Sequence, residues 1–419
     1  MKVVRTAPEG RNIGPWELVF IAAATMSLGA LAIDIMLPAL PQIAGDLGVD
    51  DGNRRQLVVG TYLISAGIGC LFPGFLADRF GRRKALAGAL LAYMTFALAC
   101  ALAPDFETLL VARCLQGVLS AGITVVPIAI IRDRFEGDRM AKLLSTVSII
   151  FMLVPILAPA IGQAILLVAD WRWIFVALAC WSLLVLGWVY LRLPETLHPE
   201  YRQEIQPLVI LSNMRRALMT RAAIGYVLGA GLTFGAVFGY VNSSQQLIGE
   251  YFDAGENFPL IFGATACTLA LASLVNARIV ERFGARRVSH TALLVFIAVS
   301  TLQVAAASGP DESLAVFLPL MAINLGLLGF LGSNFSSIAM QPLADIAGVA
   351  SSVQTFVRML GGALLGVVIG QAYDGSARPL AFALLIAGIL ALALVMFSER
   401  GKLFRRINPP HRPLPTGFR

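Results

Sequence analysis

The 419 residues predict an all-α integral membrane protein with twelve transmembrane helices in two pseudo-symmetric six-helix halves. Three observations lead there. The chain is 58% hydrophobic and only 14% charged, where a soluble protein is about 45–50% apolar and about a quarter charged. Its apolar runs are about 20 residues or longer, the length a helix needs to cross a bilayer; barrel strands show alternating runs of about 10. A short sequence, ADRFGRR at 77–83, returns as VERFGARR at 280–287, with an offset of 203 residues from Arg79 to Arg282. Such a parallel duplication is expected of carriers built from two similar halves.

Cutting at charged and Pro/Gly-rich stretches places spans at 16–37, 55–76, 84–103, 107–131, 141–168 and 172–193, then 221–247, 258–281, 288–308, 314–340, 349–372 and 378–397. The domains follow: an N-terminal tail (1–15), an N-terminal half (16–193), a linker (194–220), a C-terminal half (221–397) and a basic, Pro-rich tail (398–419). The linker is the longest polar interruption. With both termini inside, 26 of the 32 Lys and Arg residues fall on the cytoplasmic side and four on the other. That asymmetry sets the orientation. The polar, basic start and the long first apolar run predict a cytoplasmic tail and a retained first helix, not a cleaved signal.

The same features exclude several function classes. The net charge of +7 follows from the basic cytoplasmic loops, which face anionic headgroups. No nucleic-acid partner is needed to explain it. Cys70, Cys100, Cys114, Cys180 and Cys267 lie in apolar runs with no metal-ligating spacing. Two of the three histidines, His198 and His411, lie in polar segments. Neither a phosphate-binding loop nor a nucleophile elbow is present. The expectation is a protein that is not an enzyme and holds no cofactor. Its energy would come from an ion gradient, since no segment could serve as a nucleotide domain.

The loop GFLADRFGRRKAL (74–86) is the most specific motif. Gly81 permits a tight reversal between helices. Asp78 can accept from a helix N-terminus or pair with a nearby Arg, and the basic cluster anchors the loop in the cytoplasm. Topology alone explains the arginines but neither Gly74, Gly81 nor Asp78. The loop, at Gly74, Asp78, Arg79, Gly81, Arg82 and Arg83, resembles the signature of the major facilitator superfamily. ARCLQG (112–117) resembles that family's fourth-helix motif at Arg113, Gln116 and Gly117, and LPETL (193–197) resembles the end of its sixth helix. A narrower resemblance is to the bicyclomycin/chloramphenicol-resistance branch of proton-coupled multidrug exporters. It rests on IDIMLPALPQIA (33–44), IRDRFEG (131–137) and GSNFSSIAMQPLADIAGVASS (332–352). In the fifth helix APAIGQ (158–163) keeps Pro159 and Gly162 of the drug-antiporter motif but has Ala158 and Gln163 where that motif has glycines.

Asp34, late in the first span, is the first candidate for chemistry. An ionisable group within a span must face a partner or a wet cavity, and a proton-coupled carrier needs one. The competing reading is an acid at the helix exit, met by water, Arg54 or Arg55. Arg113 cannot usefully lose its proton and needs an acid or a wet cavity. In the resembled fold, helices one and four line one cavity, so the resemblance implies that Asp34, Arg113 and Gln116 meet there. A structural ion pair fixing helix packing is the alternative. Tyr62, Tyr240, Asn242, Gln245, Asn334 and Arg358 are substrate-cavity candidates, each also readable as helix packing or as a helix leaving the membrane. Gly362, Gly366 and Gly370 mark a close-packing face. Pro155 and Pro159 are expected to bend or break the fifth span.

The resemblance implies a secondary active transporter that exports drug-like small molecules by proton antiport with alternating access. A proton-coupled importer of a nutrient or osmolyte uses the same fold. The expected partners are the substrate, protons and the bilayer. The expected location is the bacterial inner membrane, with both termini cytoplasmic and the monomer as the working unit.

Overall fold

A computed structural model describes residues 13–197, 207–309 and 312–405. The assignments made above for 1–12, for the linker around His198 and for the tail beyond residue 405 lie outside the described residues. The helices are α1 (Pro15–Asp34), α2 (Leu40–Asp46), α3 (Leu57–Gly69), α4 (Pro73–Phe80), α5 (Arg82–Ala101), α6 (Phe106–Ser120), α7 (Gly122–Arg134), α8 (Gly137–Leu166), α9 (Arg172–Arg192), α10 (Pro207–Met219), α11 (Arg221–Gln245), α12 (Phe258–Phe283), α13 (Ala285–Ser308), α14 (Leu314–Met340), α15 (Ala347–Gln371) and α16 (Arg378–Ser398). Among the described residues, eleven helical segments are long and apolar enough to cross a membrane. A twelfth span is formed if the bent pair Arg54–Gly69 and Pro73–Phe80 counts as one. Helices are the natural answer for a chain in hydrocarbon, because each satisfies its own backbone.

Prolines explain the breaks. Pro73 has no N–H to return to the Gly69 carbonyl, so the chain tightens there and α3 meets α4 at 49°. Pro38 likewise has none for the Asp34 carbonyl; α1 stops at Asp34, and a 3₁₀ turn (Leu37–Ala39) leads into α2. One expectation is corrected in part: the fifth span is not broken. Pro155 and Pro159 lie inside α8, which runs unbroken for 30 residues. A transmembrane helix tolerates proline where neighbours and local adjustment satisfy the freed carbonyls. Part of the linker is helical, with α10 occupying Pro207–Met219. Proline is well placed at the first position of that helix, where its missing N–H costs nothing.

By packing, the chain forms two compact units. The first is Met1–Ile210 with Gly239–Ala264 and Gly366–Tyr373; the second is Leu211–Phe238, Thr265–Leu365 and Asp374–Arg419. In the first, α3 lies on α6, α5 on α6 and α9, and α1 on α8. In the second, α13 packs on α14 and α16. Glycine allows the closest crossings. A Cβ on Gly117 of α6 would stand 2.6 Å from the Tyr62 carbonyl oxygen, and one on Gly69 of α3 would stand 2.5 Å from that of Val118. In the second unit, a Cβ on Gly225 would meet the Leu394 carbonyl oxygen at 2.1 Å.

This packing makes a paired prediction. Gly117→Ala forces α3 and α6 apart and lowers stability by roughly 1–3 kcal/mol, the usual cost of overpacking. Gly88→Ala, where a Cβ meets nothing within 4 Å, does not. Thermal unfolding midpoints of the two variants in one detergent check this; equal midpoints would refute it.

Candidate functional site

Asp34 closes α1 and is only 5% exposed. Among the described residues no hydrogen bond or ion pair engages its carboxylate. The two arginines that might have met it are committed elsewhere: Arg54 pairs with Glu107, and Arg55 with Glu250. The reading of Asp34 as a helix-exit acid held by one of them is therefore not what the structure shows. The backbone beside it is held tightly. A Cβ on Gly162 of α8 would stand 1.9 Å from the Ile35 carbonyl oxygen. The fifth-helix Gly thus permits α8 to press on the residue after Asp34, and any side chain there would displace it.

Arg113 on α6 is wholly buried. Its Nε donates to the Val58 carbonyl on α3 at 2.9 Å. One terminal nitrogen donates to the Ala32 carbonyl on α1 at 2.8 Å, and the other to Gln116 Oε1 at 2.8 Å. The Tyr62 ring lies 4.4 Å from the guanidinium carbon and the Phe175 ring 5.8 Å. A ring face attracts a cation electrostatically, most strongly where water is excluded. Tyr62, Arg113 and Gln116 therefore do come together. The alternative reading, a structural ion pair between Asp34 and Arg113, is corrected: the two form no direct pair. Arg113 instead reaches α1 through a backbone carbonyl two residues before Asp34. Carbonyl oxygens and an aromatic face stabilise the charge without a second ion.

The loop motif is a tied joint. Gly81 has φ +100°, a conformation that suits glycine, and caps α5. Glu195, three residues past the end of α9, accepts from the backbone N–H groups of Arg82 (2.8 Å) and Arg83 (3.3 Å). A carboxylate at a helix N-terminus is favoured by the dipole and by the unpaired N–H groups. Arg82 pairs with Asp78 at 2.6 Å and with Asp133 at 3.0 Å. Arg83 donates to the Tyr190 carbonyl at 2.7 Å. Arg79 stacks on the ring of Phe80, and a Cβ on Gly74 would meet nothing within 4 Å. In this loop it is Gly81, not Gly74, that the packing requires.

Other predicted residues are dispersed. In the first unit Tyr240 stacks on Phe262, with centroids 5.9 Å apart, while Asn242 and Gln245 are buried. In the second unit Asn334 and Asn276 exchange amide hydrogen bonds at 2.8 and 3.4 Å, which is inter-helix glue. Arg358 lies 4.4 Å from the Phe234 ring centroid. Sequence reasoning missed a buried chain near the end of α16. Arg286 pairs with Glu399 at 2.7 Å, Glu399 accepts from the Tyr226 hydroxyl at 2.7 Å, and that hydroxyl bonds His290 Nε2 at 2.9 Å. His290 Nδ1 accepts the Phe404 backbone N–H at 3.0 Å. The repeat held the clue: Glu195 and Glu399 are 204 residues apart, nearly the offset between the two motif loops.

Known proteins resemble the chain over most of its length. The family model for the Major Facilitator Superfamily matches residues 18–366. An uncharacterized MFS-type transporter, YdgK, from Bacillus subtilis is 32% identical, covering 84% of this chain and 88% of its own. A bicyclomycin resistance protein homolog from Haemophilus influenzae is 29% identical, covering 85% and 89%. Multidrug resistance protein MdtL from Escherichia fergusonii is 30% identical, covering 90% and 95%. Among solved structures, a D-xylose–proton symporter superposes with a TM-score of 0.71 over 93% of this chain and 99% of its own, at 16% identity. The fold, the motif loop and the matched length agree: this chain is a multi-pass membrane transporter of the major facilitator superfamily.

Proposed function

We propose that the chain exports drug-like small molecules by proton antiport, with Asp34 as the proton carrier. The observation that carries this reading is a buried carboxylate, at the broken end of α1, that no cation among the described residues neutralises. An acid in that position is costly as a permanent anion and useful as one that gains and loses a proton. Arg113, on α6, grips α1 through the Ala32 carbonyl two residues before Asp34. An anionic Asp34 is drawn toward that charge and a protonated one is released, so proton occupancy changes how α1 is held. Gly162 on Ile35 passes the change to α8.

Relatives named for multidrug and bicyclomycin resistance support drug-like cargo and outward direction. The biased arginines support an orientation with both termini and the motif loop in the cytoplasm of a bacterial inner membrane. Protons would then enter Asp34 from the outer side and leave inward as substrate leaves outward. The proton gradient supplies the energy, and the monomer is the working unit.

Purified protein in liposomes with an imposed pH gradient tests the coupling. Wild type is expected to move amphipathic dyes or phenicol-type drugs against their gradient. Asp34→Asn is expected to bind them and to lose the pH-driven component. Normal coupling in the variant would move the proton carrier elsewhere, and accumulation of a metabolite in the direction of the protons would favour an importer. Arg113→Lys retains charge, yet a single ammonium cannot serve the same three acceptors. It is expected to destabilise the protein by roughly 1–3 kcal/mol, the cost of a buried acceptor left unpaired. Thermal unfolding in detergent measures that loss, and an unchanged midpoint would show that the three acceptors do not need the fork.

A further inference from the structure

The second unit holds a buried amide of which one half is unanswered. Gln354 on α15 is 6% exposed. Its Oε1 accepts from the Ser336 hydroxyl on α14 at 3.1 Å, which orients the amide. Its Nε2 is buried and has no hydrogen-bond partner among the described residues. Other buried amides of this unit answer one another: Asn334 with Asn276, and Asn324 with Gln303. A buried donor left unpaired is unfavourable, whereas an apolar side chain of the same shape costs nothing of the kind. Helix packing alone would be served as well by leucine at 354. The amide is useful only if it can donate to an acceptor that the chain does not supply.

Arg358 follows one helical turn later, on the same face of α15. It is the twelfth of 25 residues in that helix, near the middle of the span. Its guanidinium carbon lies 4.4 Å from the centroid of the Phe234 ring on α11. The next turn brings this face hard against α11: a Cβ on Gly362 would stand 3.0 Å from Phe234 Cβ and 3.3 Å from the Gly235 nitrogen. Arg358 and Phe234 are both half-buried, so they border open space, while Gln354 is closed off. The charge of Arg358 is permanent. A cation at this depth is costly and marks a functional position by default. Stacking on a ring uses the face of the guanidinium, not the N–H groups in its plane.

We propose that Arg358 and Gln354 form a subsite for a carboxylate head on the cargo, with Phe234 beside it for a flat apolar body. This rests on the reading of the chain as an exporter of drug-like molecules, and it narrows the cargo to amphipathic monoanions. A carboxylate offers two oxygens: one meets the guanidinium and the other takes the Gln354 Nε2–H. Such charge-assisted bonds are stronger than neutral ones. A neutral amide of the same shape keeps one acceptor but turns an NH₂ toward donors. An ammonium brings like charge and no acceptor. Gln354 Oε1, the one acceptor on these side chains, is engaged by Ser336. The subsite shares no residue with Asp34 and its neighbours.

Equilibrium binding to the full chain in lipid nanodiscs, with no pH gradient, tests this with three probes of one shape: naphthylacetate, naphthylacetamide and naphthylethylammonium. The parent is expected to bind the anion at least about tenfold more tightly than the ammonium, with the amide between them. Arg358→Gln is expected to bind anion and amide alike, and Arg358→Lys, which keeps charge without the fork, to recover part of the preference. Gln354→Leu is expected to weaken the anion several-fold. Equal binding of the three probes by the parent, tightest binding of the ammonium, binding of none, or a parental anion preference in Arg358→Gln would overturn the proposal. If Arg358→Gln does not fold, Gln354→Leu decides, and a parental ratio of anion to ammonium overturns it. The readout needs no transport. A chain that couples protons yet favours the ammonium keeps the antiport reading and loses this one; a chain that favours the anion without coupling does the reverse.

Discussion

The first unit is organised around a guanidinium that, among the described residues, has no carboxylate against it. Arg113 draws its partners from three helices: the Ala32 carbonyl on α1, the Val58 carbonyl on α3 and Gln116 on its own helix α6. Two of the three acceptors are backbone carbonyls of helices, which cannot rotate away as a side chain can; the third is the Gln116 side chain on its own helix. A cation buried this deeply is tolerable only when its donors are used, and here the rigid fork meets three acceptors at 2.8–2.9 Å. The Tyr62 face covers it. With the charge satisfied by two carbonyls and the Gln116 amide, Asp34 is left without a counter-ion among the described residues. A direct ion pair would have made both groups structural.

Much of this architecture was legible from the chain. Hydrocarbon demands long apolar helices, and the bias of basic residues marks their ends, so twelve spans could be placed without coordinates. The motif loop was legible because only glycine suits the +100° φ of Gly81. Contacts between spans were not. A span read from hydropathy has a position but no rotation, and a pairing needs both. Asp34 and Arg113 looked like partners on resemblance, yet the arginine reaches the carbonyl two residues earlier. Asn334, open to either reading, turned out to be held by Asn276, whose place in α12 gave no sign of a partner on α14. The unbroken α8 shows the same limit: local proline rules give the hydrogen bond that is lost, while the helix is kept by its surroundings.

The two motif loops extend the comparison. Gly284 repeats Gly81 as a positive-φ cap, and Arg286 answers Glu399 as the start of α5 answers Glu195. The partners differ in kind. Glu195 holds backbone N–H groups, whereas Glu399 holds a guanidinium and a tyrosine hydroxyl. The duplication thus preserved the place of the carboxylate but not its acceptor geometry, which is why the motif was conspicuous in the first copy and faint in the second.

These carboxylates have a topological meaning. Glu195 follows the sixth span and returns to the start of the third; Glu399 follows the twelfth and returns to the start of the ninth. Each set of six spans is thereby tied from its last helix to its middle, as a rope is made fast to its own standing part. Neither carboxylate lies in α10, the helix at Pro207–Met219 that joins the two sets. Its residues can change while the closure within each set, made by Glu195 and Glu399, is untouched.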